Sequence, residues 1–240
     1  MKQVEWIASE FEEKGYVVLP DFVAADELRL LNGEIERHYR PLVPDANELL
    51  ASSDTVMKQF ECDVICWDPC GESSAPFLAL RDSPALASAT RACLGEGFSE
   101  PGSMVMWAAP GGRGQSWHQD CLPQQPGQFN LNRLFYTENV TLADGAIVVV
   151  PGSHKMGRIP PGGLQDTIEG EVVLTPTAGT LVLLHGNVYH RVTPNSSGKP
   201  RLSVNFRAFP QGGSPDVCAF GVYRNGTINF HTGQVVAAEA

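Results

Sequence analysis

The sequence predicts a mainly β fold with flanking α-helices, an antiparallel sandwich or barrel in one domain. Three observations carry this. Among 240 residues there are 24 glycines and 18 prolines, about one in six, which is turn-rich without being low-complexity. From about residue 103 onward, short apolar runs alternate with Gly, Pro, Asn and Asp at strand-and-turn spacing. Hydrophobic residues make up 42% and charged ones 18%, so the chain can bury a core without disulfide or metal staples.

The elements follow in order. Val4, Ile7 and Phe11 fall on one face of a first helix. The run GYVVLPDF is a strand. Asp26 and Glu27 open a second helix with Leu28, Leu30, Leu31 and Ile35 as its apolar set, and Pro41 and Pro44 end it. Residues 45–75 give no clear period. Asp82-Ser83-Pro84 begins a third helix over 83–98. Six strand runs then follow: MVMW, FNLNRLFYTENV, AIVVV, EVVL, TLVLL and RLSVNFRAF. The expected layout is one domain over 1–240, with a largely helical layer at 1–100, a β core at 101–210 and a C-terminal extension at 211–240.

Charge narrows the partners. Twenty-seven acidic residues against 17 basic ones give a net charge of −10, and no Lys/Arg run exists. That excludes a nucleic-acid or anionic-membrane surface. No apolar stretch has the length of a membrane span. The N-terminus carries Glu5, Glu10, Glu12 and Glu13 and reads as neither signal nor transit peptide. A cytoplasmic location is therefore expected. Six cysteines are too few for a disulfide scaffold. Cys62, Cys66 and Cys70 form a C-x3-C-x3-C series that departs from zinc spacing and reads as packing.

The chemistry concentrates in two segments. In QSWHQD, His118 and Asp120 stand two apart, so extended backbone puts both on one face. Alone, the pair reads more readily as a hydrogen-bonded polar couple than as half a metal site. Downstream, His190 follows an apolar strand, and Arg201 opens RLSVNFRAF eleven residues later. Two His and one carboxylate compose the facial triad of non-haem Fe(II) oxygenases, which leaves coordination positions open. Arg suits a carboxylate because its guanidinium forks onto both oxygens. Alternation puts Ser203, Asn205 and Arg207 on the Arg201 face, and a polar face inside a sandwich is costly unless it lines a site.

With these residues in view, the chain resembles the phytanoyl-CoA dioxygenase family of Fe(II)/2-oxoglutarate-dependent oxygenases. The resemblance rests on FEEKGYVVLPDFVAADEL, WHQD, DGAIVVVPGSH and the His190–Arg201 segment, and covers most of the chain. It implies a double-stranded β-helix, the jelly-roll or cupin-like barrel. It implies His118, Asp120 and His190 as iron ligands and Arg201 as partner of the distal carboxylate of 2-oxoglutarate. Ser203 completes an Arg-x-Ser pattern for the same carboxylate. Where many members carry Ser two residues after the distal His, this chain has Val192, and Ser203 or Tyr136 stands in for that bond. Gln115 occupies a position that the family uses for cosubstrate or substrate. The implied reaction consumes 2-oxoglutarate and O2 and oxidises an unactivated C–H bond of a small molecule in specialised metabolism. Hydroxylation, desaturation, cyclisation and epimerisation are all open outcomes, while an intact Asp120 argues against halogenation. Two rival readings remain: a cupin-like isomerase or hydrolase without 2-oxoglutarate, and a non-catalytic small-molecule-binding barrel.

The remaining candidates have plainer readings beside them. Asn205 and Arg207 are expected to line the cavity. Arg113, Arg133 and Arg158 could bind an anionic or carbonyl-rich substrate, or could be surface charges and ion pairs. His185 competes with His190 but lies sixteen residues before Arg201, a poor match to the family spacing, and reads as a turn residue. His154 reads as structural, and His38 and His231 as surface residues. Trp117 and Gln119 point away from the metal by alternation. The loops GRIPPGGLQDT and FECDVICWDPCGES are candidates for a lid.

Overall fold

The computed structural model describes residues 2–41, 64–121, 127–214 and 217, with the backbone alone for 64–66 and for strands at 220–223, 226–229 and 235–238. The chain starts with α1 (Lys2–Lys14), β1 (Tyr16–Leu19) and α2 (Ala25–Tyr39). Then come β2 (Val64–Trp67), α3 (Ala75–Arg81) and α4 (Pro84–Leu94). The main run of strands is β3 (Ser99–Ala108), β4 (Gln115–His118), β5 (Leu131–Phe135), β6 (Ile147–Val149), β7 (Val172–Leu174), β8 (Leu181–His185), β9 (His190–Val192) and β10 (Arg201–Phe209). β11 (Phe220–Tyr223), β12 (Gly226–Asn229) and β13 (Val235–Ala238) form a separate antiparallel ladder.

Two antiparallel sheets make the barrel. The larger runs β1-β8-β5-β10-β3-β2 and the smaller β4-β9-β6-β7. The N-terminal segment therefore contributes two strands to the larger sheet and is not only a helical layer. β10 sits centrally, pairing with β3 on one side and β5 on the other. In the smaller sheet, β4 and β9 run antiparallel with His118 directly opposite His190.

The layers follow from strand alternation. One face of the larger sheet presents Leu131, Phe135, Leu183, Val204 and Phe206 to Phe11, Leu31, Ile35, Phe77 and Leu86 of the helices. Its other face meets the smaller sheet through Leu134, Tyr136, Leu184 and Ile147. The far side of the smaller sheet buries Trp117, Val148 and Tyr189 under Ile159 and Ile168. The order is helices, larger sheet, smaller sheet, loop.

Local signals explain the helices. Ser83 caps α4 by accepting the Leu86 N–H at 3.2 Å, with Pro84 in the first position. Glu27 accepts the Ala24 N–H at 3.1 Å ahead of α2. Three expectations are corrected. The 83–98 helix ends at Leu94 because Gly95 closes it. α3, with Pro76 in its first turn, had no sequence assignment. Leu30 is 61% exposed and stands off the apolar face of α2.

Candidate metal centre

His118 ends β4, His190 begins β9, and Asp120 lies two residues past β4, its N–H donating to Gly186 O at 2.7 Å. All three side chains are buried, and their ligand-type atoms lie within 4.8 Å of one another. His118 Nε2 is 3.5 Å and His190 Nε2 4.0 Å from Asp120 Oδ1. Each Nδ1 faces a backbone carbonyl, Ser116 O at 2.7 Å and Val188 O at 2.8 Å. A carbonyl only accepts, so each Nδ1 carries a proton, and Nε2 is the ring nitrogen that each histidine turns inward. Burial first, then the neighbouring His118 and Arg207, push His190 down to about 4 against the pull of Asp120, so this imidazole is neutral at neutral pH. Burial alone would raise the Asp120 carboxyl. The neighbouring His118 side chain and the charge of Arg207 outweigh it and hold the group well below the usual carboxylate range. Two imidazoles and one carboxylate are the donor set of a divalent transition metal.

The cavity beside this centre measures about 120 Å³ and lies between the sheets. Asp120, His190, Gln115, Tyr136, Arg201 and Ser203 all line it, as do Asn205 and Arg207. Arg201 Nη1 donates to Ser203 Oγ at 3.2 Å, and among the described residues no carboxylate lies within ion-pair distance of its guanidinium. Burial pulls Arg201 below its ordinary value while the nearby Tyr136 opposes this; the guanidinium remains a cation. A buried cation paired only with a hydroxyl is suited to an anion. The apolar part of the wall comes from Met104, Met106, Leu134, Ile147, Leu184 and Val192. Val192 presents only a hydrocarbon where the family pattern carries a hydroxyl.

One polar residue at this centre had no sequence assignment. Asn132 Nδ2 donates to Asp120 Oδ2 at 2.6 Å, and Asn132 also lines the cavity. Tyr136 is placed at the site by sequence, and alternation back from it along FNLNRLFY reaches Leu134 and Asn132. That signal could have found it. Asn205 Nδ2 and Arg207 Nε both donate to Asn132 Oδ1, at 2.8 and 3.2 Å.

Other candidates fall elsewhere. Arg133 is fully buried on the helix-facing side of β5. It pairs with Glu100 and bonds Phe206 O at 2.9 Å and Thr90 Oγ1 at 3.1 Å, so alternation removes it from the cavity. Arg113 and Arg158 are exposed loop residues outside the cavity wall. His185 is held away from the centre, stacked on Phe129 at 3.8 Å and accepting the Asn187 N–H on Nδ1 at 3.0 Å. His154 contacts Glu12 O at 3.3 Å, and His38 is no lone surface residue but stacks on Trp67 at 4.3 Å. Cys62 and His231 lie outside the described residues, as does the start of the FECDVICWDPCGES loop. The GRIPPGGLQDT loop is not a lid. It packs on the back of the smaller sheet, where Gln119 Nε2 donates to Gly157 O, Gln119 Oε1 accepts the Ile159 N–H, and Trp117 Nε1 donates to Asp166 O.

The chain is similar to known proteins. The family model described as Phytanoyl-CoA dioxygenase (PhyH) matches residues 11–203, which include His118, Asp120, His190 and Arg201. Uncharacterized proteins of Mycobacterium bovis and Mycobacterium tuberculosis are each 31% identical over 113 residues. That match spans 47% of this chain and only 40% of each relative. HygX of Streptomyces hygroscopicus, solved with nickel, 2-oxoglutarate and hygromycin B, is similar at a TM-score of 0.67 and 15% identity, over 93% of this chain and 96% of its own. The carbocyclase SnoK from nogalamycin biosynthesis is similar at 0.67 and 17%, over 91% and 85%. The epimerase SnoN from the same biosynthesis is similar at 0.62 and 19%, over 93% and 84%. These likenesses show a common fold, the double-stranded β-helix. Among the described residues no helix is long and apolar enough to cross a membrane.

Proposed function

The chain belongs to the phytanoyl-CoA dioxygenase family, and from that premise we propose that it is an Fe(II)- and 2-oxoglutarate-dependent dioxygenase acting on a small molecule. One observation carries the reading. Three buried donors, of which Asp120 and His190 line the cavity, lie beside the guanidinium of Arg201, which has no carboxylate partner among the described residues. His118 Nε2, Asp120 Oδ1 and His190 Nε2 would hold the iron. When bound, the iron supplies coupled oxidative decarboxylation of 2-oxoglutarate and oxidation of a C–H bond by O2.

The residues of the chain do the rest. Arg201 grips the distal carboxylate of the cosubstrate, with Ser203 Oγ fixed beside it as a second partner. Tyr136 and Gln115 line the same end, and Tyr136 takes the hydrogen bond that Val192 cannot make. The Met104, Met106 and Leu134 side keeps the cavity apolar, so water is displaced when substrate enters. Residues 1–240 act as one oxygenase domain, and the cytoplasm supplies the reduced iron and 2-oxo acid. HygX, SnoK and SnoN carry names tied to antibiotics or their biosynthesis, and by analogy the substrate is a specialised metabolite. This last step rests on fold likeness.

The test is spectroscopic. Anaerobic addition of Fe(II) and then 2-oxoglutarate should give a weak visible charge-transfer band. Iron bound without that band sinks the cosubstrate assignment. Succinate released during turnover with a panel of metabolites then identifies the substrate.

A further inference from the structure

The Asn132 amide holds Asp120 by one oxygen, and the hydrogen bonds that orient that amide have a fixed direction. β5 and β10 lie side by side, with Asn205 opposite Leu134 and Arg207 opposite Asn132. The backbone N–H of Arg133 donates to Asn205 Oδ1 at 3.2 Å. A backbone N–H can only donate, so this bond settles which end of the Asn205 amide is oxygen. Asn205 Nδ2 then donates to Asn132 Oδ1 at 2.8 Å, with Arg207 Nε donating to the same oxygen. Asn132 Nδ2 is thereby turned toward Asp120 and donates to Oδ2 at 2.6 Å. Arg207 Nη2 lies 3.7 Å from that same Oδ2. Flipping either amide would face oxygen with oxygen, and flipping Asn205 would also remove the acceptor of the Arg133 N–H, at a cost of about 1–3 kcal/mol per orphaned buried group. Oδ1, free of this chain, faces His118 Nε2 and His190 Nε2.

We propose that Asn132 is a positioning residue that ties down one oxygen of Asp120, so that the carboxylate can offer a metal only the other. The inference rests on the reading of His118, Asp120 and His190 as the metal ligands. Its consequence concerns open coordination positions. A carboxylate free to rotate can bind through both oxygens and take a position that a cosubstrate needs. Asn205, which lies beyond the stretch matched by the family model, orients Asn132 in turn.

Co(II) alone is the probe, titrated into the full chain and followed by calorimetry and by its visible ligand-field bands. Wild-type protein should bind one equivalent. Asn132→Ala and Asn132→Ser should each weaken Co(II) binding about 10–100-fold, the usual cost of losing a partner of a metal ligand, and should change the bands. In an Asp120→Ala background, the same Asn132 substitutions should weaken binding no further, because the oxygen that Asn132 holds is gone. Equal loss in both backgrounds overturns the proposal, since it marks a general structural effect. Loss with Asp120→Ala and none with either folded Asn132 variant overturns the proposal and leaves the metal centre standing. Absent 1:1 binding by wild type, or Asp120→Ala binding as wild type does, overturns the metal centre and the proposal with it.

Discussion

Trp117 stacks on Tyr189 with ring centroids 5.1 Å apart, on the face of the smaller sheet turned away from His118 and His190. The two aromatics alternate with the two imidazoles along β4 and at the start of β9, so one strand pair carries the metal ligands on its inner side and a packed core on its outer side. Arg191 lies over the Trp117 ring at 5.2 Å and pairs with Glu171 at 3.2 Å, which adds a cation to the stack. Trp117→Ala should therefore cost about 3–5 kcal/mol of stability and free the 157–168 loop. Thermal unfolding and limited proteolysis within that loop check this. Trp117→Phe keeps the stack and loses only the bond to Asp166 O, so it should cost about 1 kcal/mol.

What the sequence revealed and what it hid divide along strand alternation. The nearness of His118, Asp120 and His190 was legible because short motifs mark them, and Arg201 stands out because it opens a strand. RLSVNFRAF was legible as a strand to its last residue, and its polar face does line the cavity. Arg133 was misplaced because its partners Glu100 and Thr90 come from segments far along the chain, and no local pattern announces them. Asn132, its neighbour on the opposite face, was overlooked because an Asn among other polar residues of a strand, with Asn130 and Arg133 beside it, carries no motif. The GRIPPGGLQDT loop looked like a lid because Gly and Pro mark it as a loop. Only the outward faces of Trp117 and Gln119 show which side of the sheet it covers.

Arg201 should separate cosubstrate binding from metal binding. Its guanidinium bonds Ser203 Oγ. Arg201→Ala should weaken 2-oxoglutarate binding to the metal-loaded protein on the order of a hundredfold, the cost of a lost charge-assisted fork, with metal affinity unchanged. Arg201→Lys keeps the charge but not the fork and should fall between. Separate titrations of metal and of 2-oxoglutarate decide it. Unchanged 2-oxoglutarate affinity removes Arg201 from this role.

His185 makes acid destabilising. Burial first, and then the neighbouring His154, push its imidazole down to about 3, whereas in the unfolded chain it titrates near 6.5. Between those values the unfolded state binds the extra proton, so stability falls as pH drops through this window. The slope from this residue reaches about 1.4 kcal/mol per pH unit. Below about 3 both states are protonated and the loss from this residue stops. His154, the titratable group facing it at 5.1 Å, is also lowered by burial and acts in the same direction. His185→Asn keeps an acceptor for the Asn187 N–H but cannot titrate. Its denaturation midpoints between pH 6.5 and 4 should fall less steeply than those of wild type. Parallel slopes would mean that another group sets the acid limit.

Two glycines on either side of the cavity should respond differently to a single added methyl. Gly114 has a φ of +80°, and a Cβ there would overlap the backbone oxygen of Val192 in β9, which has little freedom to yield. Gly145 has a φ of +88°, and its Cβ would lie 3.2 Å from Thr193 O and 3.4 Å from Arg201 Nε. Asp144 shapes that turn by accepting the Thr141 hydroxyl and N–H at 2.6 and 2.8 Å. Both substitutions force an L residue into left-handed backbone, at a cost of about 1–3 kcal/mol. Gly114→Ala adds a clash with backbone beside the metal ligands, so it should be the more destabilising in thermal unfolding. Gly145→Ala presses instead on the Arg201 side chain. In the folded variant, 2-oxoglutarate affinity should drop severalfold more than metal affinity does. The reverse order of stabilities would show that the backbone around Gly114 yields to the methyl, and an equal loss of metal and cosubstrate in Gly145→Ala would show that the close approach of Gly145 to Arg201 does not position the guanidinium.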